Sequence, residues 1–204
     1  AEEGRTVLFV SHNMVIMRNL CEKVLYIKDG KIKDIGEAEP IISDYLSVER
    51  EPNQFYVDTA ERKGDFRIKI EDFHLGPEHP KTGEPLTCLL DIFANTNKDE
   101  KITADFSISF VTDSGFKLFQ LHSGHIQNGI TLKPGKSRIT AEIDALPLTP
   151  GAYNINLWVG SGKHTNDWVP EAYSFTVEYG MLKDGIYVDN RGYPVVMVSD
   201  WKTT

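Results

Sequence analysis

The chain has 204 residues, 22 Lys+Arg against 30 Asp+Glu for a formal net charge of −8, and 40% hydrophobic with 10% aromatic residues. Those fractions exclude wholesale disorder, collagen and long coiled coil. The acidic balance offers no general attraction to phosphate backbones or anionic lipid, so no nucleic-acid partner is expected, and no apolar run approaches the roughly 20 residues that cross a bilayer. The sequence opens Ala1-Glu2-Glu3 without signal peptide or initiator Met, and is expected to be a piece of something longer. Two cysteines, Cys21 and Cys88, make no disulfide framework; both sit among apolar neighbours and are expected to be reduced, buried thiols of a cytosolic protein.

The first fifty residues read as mixed α/β. Thr6-Val7-Leu8-Phe9-Val10 is an unbroken apolar run, the pattern of a strand buried on both faces. Ser11 or Asn13 caps a helix with Met14, Met17, Leu20 and Cys21 at helical spacing. Val24 to Ile27 and Ile32 to Ile35 flank an Asp29-Gly30 turn as a hairpin. A short helix follows, with Pro40 near its first turn and Ile41, Ile42, Tyr45 and Leu46 on one side. These elements make too small a core to stand alone, so residues 1–50 are expected to be the tail end of a larger α/β domain. The charged stretch 51–64 suits a linker or a surface crossing.

From residue 65 the period changes to two. Ile68 and Ile70 alternate with Arg67, Lys69 and Glu71, and Leu86, Cys88, Leu90, Ile92 and Ala94 share a face. Ile102, Ala104, Phe106, Ile108 and Phe110 alternate with Thr103, Asp105, Ser107 and Ser109. Further strands are expected at Phe116 to Leu121, Ile139 to Ile143, Tyr153 to Val159, Tyr173 to Tyr179 and Val195 to Val198. Turn signals at Asp113-Ser114-Gly115, Lys133-Pro134-Gly135 and Thr149-Pro150-Gly151 separate them. About eight short strands with almost no helical period predict an antiparallel β-sandwich over 65–204. Tyr153 opens a strand just after a turn, where immunoglobulin-like sandwiches place a tyrosine corner. The expected fold is therefore mainly β, an immunoglobulin-like antiparallel sandwich preceded by a small α/β piece.

The string Thr6-Val7-Leu8-Phe9-Val10-Ser11-His12-Asn13 resembles the switch-histidine strand of ATP-binding-cassette (ABC) ATPases. Leu20 to Ile32 looks like the hairpin that closes that domain, and Gly36 to Leu46 is similar to its final helix. The resemblance implies that residues 1–50 are a C-terminal remnant of a nucleotide-binding domain. It also implies that His12 reaches the γ-phosphate of ATP, where a polarised imidazole stabilises charge developing in phosphoryl transfer. The phosphate-cradling Gly-x-x-x-x-Gly-Lys-Ser/Thr loop, the Gly-rich signature and the acidic Mg²⁺-holding strand are absent from this sequence. The chain is thus expected to carry no catalytic residue and to be inactive alone, with ATP and Mg²⁺ as cofactors only of an intact parent.

An ABC nucleotide domain followed by a long β-sandwich resembles the ATPase subunits of polysaccharide exporters, the O-antigen (Wzt-type) class. The likeness implies a sandwich that recognises the polysaccharide and couples its binding to ATP-driven export. It implies a membrane permease as partner and a cytoplasmic location at the inner face of the membrane. It further implies a homodimer made by exchanging the last strand, here Gly192 to Trp201. Three alternatives stand beside it: a dimerisation or regulatory domain that binds no sugar, a regulatory extension of an ABC importer, and a catalytic sandwich.

Sugar sites need aromatic faces for pyranose C–H groups and planar polar groups for paired hydroxyls. In Tyr153 to Val159, the residues Tyr153, Ile155, Leu157 and Val159 form one face, and Asn154, Asn156 and Trp158 form the other. With the first face in the core, two amides and an indole line an exposed surface. Gln120, His122 and His125, nearby in sequence, and Trp168, expected in a loop, extend that candidate glycan surface. The competing reading of Trp158 is the core-packed tryptophan of a sandwich. His122-Ser123-Gly124-His125 lacks a Cys or carboxylate at matching spacing, so no metal is expected. Gly-x-Ser-x-Gly is missing, and Glu71-Asp72 and Asp99-Glu100 read as solvated turns rather than a glycosidase pair.

Overall fold

A computed structural model of the chain describes residues 7–10, 17, 20–28, 30–49, 52–56, 62–97, 101–126, 129–183, 186–188, 192–197, 199 and 202–203. They fall into two compact units, one from Ala1–Glu51 and Asp113–Phe116 and one from Pro52–Thr112 and Lys117–Thr204.

In the first unit, β1 (Lys23–Lys28) and β2 (Lys31–Glu37) pair antiparallel. They turn at Gly30, whose φ of 73° lies where glycine alone goes without penalty. α1 (Ala38–Glu49) follows at once, with Pro40 in the first turn, where no N–H is needed. Its Ile41 and Ile42 are buried with Met17, Val24 and Tyr26, and Tyr26 meets Tyr45 edge-on at 5.1 Å. The strand expected at 6–10 is not formed in its described part: Val7 to Val10 carry no strand structure, and Leu8 and Val10 are 93% and 95% exposed. A doubly buried strand needs a partner on each side, and no strand among the described residues pairs with this run. Met17 and Leu20 are helical and the Cys21 N–H donates to Met17 O at 2.9 Å. Ser11, His12, Asn13 and Met14 lie outside the described residues. Cys21 is half-buried rather than buried.

The second unit is the sandwich. β3 (Ile68–Gly76), β4 (Leu86–Ala94) and β8 (Gly135–Ile143) form one antiparallel sheet in the order β3-β4-β8. β5 (Ile102–Thr112), β6 (Lys117–His122), β9 (Gly151–Ser161) and β10 (His164–Val177) form the other in the order β10-β9-β5-β6, and β7 (Ile130–Leu132) also pairs with β5. A 3₁₀ turn, Ser123–His125, follows β6, and β11 (Met181–Lys183) pairs with β12 (Ile186–Tyr187). Alternation sends Ile70, Phe73, Leu90 and Ile92 of one sheet and Phe106, Phe110, Ile155 and Phe175 of the other into a single core. Each such side chain contributes about 1.5–3 kcal/mol by leaving water. Burial pushes the Cys88 thiol up to about 12, which leaves it inert. The mainly β, immunoglobulin-like fold expected from the sequence is the one that forms, tyrosine corner included: Tyr153 Oη donates to Thr149 O at 2.8 Å.

Two stretches hold the sandwich at its margins. Val195 to Val198, expected as a strand, contributes a single bridge from Val195 to Leu148, supported by Val196 N–H to Pro147 O at 2.8 Å; Val198 and Trp201 lie outside the described residues. The stretch read as a linker or surface crossing runs beside β10 in its described parts, where Phe55 bridges Tyr173 and Lys63 bridges Trp168. Arg62 closes on Asp167 there with Nη2–Oδ2 at 2.6 Å and Nε–Oδ1 at 3.0 Å. The two side chains are 9% and 0% exposed, and the Ile70 backbone completes the pair, its C=O and N–H each at 2.8 Å. A buried pair persists when its remaining donors and acceptors are satisfied in this way.

Candidate functional site

The alternation of β9 decides the site. Tyr153, Ile155, Leu157 and Val159 are core residues, so Asn154, Asn156 and Trp158 face outward. Trp158 is half-buried, and its indole N–H donates to Thr165 Oγ1 at 3.0 Å. Gly160, two residues on along the same face, explains how the ring lies. A Cβ there would sit 2.5 Å from Trp158 Cζ2 and 3.0 Å from Cη2, so the six-membered ring covers the glycine. A glycine inside a strand marks such a close approach.

Register carries the surface across the sheet. Trp158 stands opposite Trp168 on β10 and Ser107 on β5, and Ser107 stands opposite His122 on β6. Residues opposite one another on antiparallel strands share a face. One outward row therefore reads Trp168, Trp158, Ser107, His122, about 14 Å long at a strand spacing of about 4.8 Å. Ser107 is small, and His122 and Trp158 close over it edge to face with centroids 5.9 Å apart. His122 also meets His125 of the 3₁₀ turn at 4.6 Å, and its Nδ1 lies 3.1 Å from Phe106 O. The next row holds Asn156, Ser109 and an exposed Gln120, whose Oε1 is 3.4 Å from Ser107 Oγ.

Two expectations need correction. Trp168 lies in β10, not in a loop. The register of β10 shifts between Thr165 and Asp167 and again between Val169 and Tyr173, with Pro170 inside the second shift, so the strand has no clean period of two. Asn154 is not an exposed amide: it is 9% exposed, with Oδ1 accepting from Ser174 Oγ at 2.6 Å. Asn156 is half-buried, and its Oδ1 accepts the Glu171 N–H at 2.6 Å at that second shift, where Glu171 adopts a φ of 47°. Its NH₂ group is what remains to face a ligand.

A family model described as the Wzt C-terminal domain matches residues 59–187, well over half of the chain. The chain belongs to the Wzt C-terminal domain family. Similar proteins include the teichoic acids export ATP-binding protein TagH of Staphylococcus saprophyticus, 43% identical over 44 residues, which are 22% of this chain and 17% of that protein. The TagH of Staphylococcus epidermidis is 34% identical over 68 residues, 33% of this chain and 25% of that protein. The chain thus spans a quarter or less of the length of these relatives. In fold it is similar to the crystal structure of the C-terminal domain of Wzt, with a TM-score of 0.54, 15% identity, and coverage of 76% of this chain and 93% of that one.

In this Wzt C-terminal domain a cleft of about 380 Å³ opens between the sheets at β6 and β8, with Phe106, Leu121, Ile130 and Ile139 as apolar lining and with His122, the end of the outward row, and His125 beside them. At the other margin of the row, the Asn166 amide, the Arg67 N–H and His164 hold the Asp65 carboxyl down at about 2. A second cluster lies on the opposite sheet, where ligand atoms of Asp72, His74 and Asp91 come within 4.8 Å of one another. Arg138 already grips both Asp91 oxygens at 2.6 Å and holds that carboxyl below its usual range, which makes the cluster an ion-pair network. The sequence reading missed Ser107, Thr165, Gly160 and Asp105 as parts of the outward surface. The outward positions of Asp105 and Ser107 follow from the alternation of β5; the place of Thr165 on the irregular β10, and the registers that bring the four together, do not.

Proposed function

We propose that this domain recognises the glycan cargo of a polysaccharide-exporting ABC ATPase and holds it on the outer face of the β10-β9-β5-β6 sheet. The observation that carries the reading is the row of Trp168, Trp158, Ser107 and His122, outside the core and bordered by Asn156 and Gln120. Indole faces take the C–H faces of pyranose rings, and the amides and imidazoles take hydroxyls. In the intact protein, upstream segments bind ATP and Mg²⁺, with His12 at the γ-phosphate. A membrane permease is then the partner, and the inner face of the cytoplasmic membrane the location. Relatives named as teichoic acids export ATP-binding proteins support an export role. A homodimer belongs to the same reading: the contacts of Pro194 and Val196 with Thr149 and Pro147 within this chain would form equally with a second copy.

The test is a glycan array of O-antigen and teichoic acid repeat units followed by titration of the hits against Trp158→Ala. Truncating an aromatic anchor typically removes about 2 kcal/mol or more. The variant should therefore bind at least about tenfold more weakly while melting within a few degrees of the parent. An array without hits, or a variant that binds as the parent does, would sink the reading.

A further inference from the structure

Asp105 lies on β5 two residues before Ser107 and faces outward with it, since Ala104 and Phe106 on either side of it are core residues. It stands in register with Gly160, the residue that the ring of Trp158 covers. Having no side chain, the glycine makes room for the His164 C=O and the Trp158 ring, which a Cβ there would meet at 2.1 and 2.5 Å, and the carboxylate and the indole share one outward face. Asp105 is half-buried. Its side-chain contact among the described residues is a long one, Ser123 Oγ to Oδ1 at 3.5 Å, and no Lys, Arg or His among them pairs with it. The turn beside it is shaped around the carboxylate: a Cβ at Gly124 would stand 3.0 Å from Asp105 Oδ1. A carboxylate partly withdrawn from water without a counter-charge is costly unless donors reach it.

We infer that Asp105 contacts the ligand and selects an uncharged sugar unit with two adjacent hydroxyls, seated against Trp158. This rests on the glycan reading above and narrows it. Two carboxylate oxygens accept two O–H donors from neighbouring ring carbons, and bonds to an ionised acceptor are roughly twice as strong as neutral ones. The same charge repels a phosphate or uronate at that place. His122 stands beside Ser107 and His125 ends the Ser123–His125 turn, but neither makes an ion pair with Asp105, and Lys63 lies across β10 beside Trp168, so no paired cation among the described residues reverses the preference.

The experiment uses the full chain and four probes: methyl α-mannoside, methyl α-rhamnoside, methyl β-glucoside and a short poly(glycerol phosphate). Binding is followed by tryptophan fluorescence and saturation-transfer NMR, with Asp105→Asn and Asp105→Ser beside the parent. The parent should bind at least one glycoside in preference to the polyphosphate, and both variants should weaken that binding by about tenfold or more with unchanged melting. Equal binding by parent and variants, or a preference for poly(glycerol phosphate), removes Asp105 as a selector while the glycan reading survives. Early melting of both variants makes the carboxylate a structural group of the Ser123 turn and overturns the inference. If the parent binds none of the four, the inference falls, and the array of the preceding section decides whether the glycan reading falls with it.

Discussion

On the β3-β4-β8 sheet the outward positions include Lys69, Glu71, Asp72, His74, Asp91, Lys136 and Arg138; on the β10-β9-β5-β6 sheet they include Trp158, Trp168, Asn156, Ser107, Gln120 and His122. The inner faces of the two sheets are chemically alike and share one core. The first outer face satisfies itself, with Arg138 on Asp91 at 2.6 Å, Lys136 on Glu71 at 3.3 Å and His74 on Asp72 at 3.0 Å. Most of its charged groups among the described residues are hydrated and paired with one another. The second keeps aromatic surface and amide groups partly out of water, as a recognition surface does. One alternation builds both faces, so the fold leaves the outward residues free to differ, and function follows those residues.

The sharpest way to break the contrast is at the edge of the recognition sheet. Asp167→Ala strands the buried Arg62 guanidinium and frees the segment that pairs with Trp168, and removing one partner of a buried pair costs about 3–5 kcal/mol. Chemical denaturation should show that loss. A change under about 1 kcal/mol would mean the pair is solvated in solution and does not hold this edge.

A smaller effect comes from Asp65, which lies at the same edge with Asn166 and His164. Its folded value of about 2 lies below the ordinary aspartate value of 3.8. A depressed carboxyl contributes stability that is present above its unfolded value and is lost as pH falls toward the folded one. Between about pH 4 and pH 2 the parent should therefore lose stability that Asp65→Asn, already without the contribution, does not lose. Melting profiles of parent and variant that stay parallel across that window would place the acid sensitivity elsewhere. Asp91, held down by Arg138, adds to the same acid limb from the other face.

The sequence made the two faces unequally legible. β9 could be read residue by residue, because the seven positions from Tyr153 to Val159 alternate without a break and a turn and Tyr153 fix where the strand begins. β10 could not: its two register shifts and Pro170 hide the alternation that puts Trp168 beside Trp158. The Ser107 bridge between Trp158 and His122 depends on pairing β5 with β9, 51 residues on, as well as with the nearer β6, and no local pattern encodes the first. The charged segment around Arg62 reads as solvated because its counter-charge comes 105 residues later. Val7 to Val10 failed in the opposite sense, since an apolar run states what a strand would bury without supplying the neighbours that bury it.

The smallest effect, and the one that tests the comparison from its quiet side, is Arg138→Ala. Arg138 and Asp91 make a bidentate pair, yet their side chains are 56% and 31% exposed, so water screens the attraction. Exposed pairs of this kind contribute little to stability. Removing the guanidinium leaves Asp72 directly opposite Asp91, two carboxylates on neighbouring strands with only His74 and Lys136 nearby. The Asp91 carboxyl should then rise back toward its usual range, readable by NMR titration. Stability should fall only slightly, and less in 1 M salt, where the Debye length is about 3 Å. Glycan binding should not change, because this face is the far side of the core from Trp158. A loss of binding that matches that of Trp158→Ala would exchange the roles of the two faces and make the ion-pair sheet the one that meets the ligand.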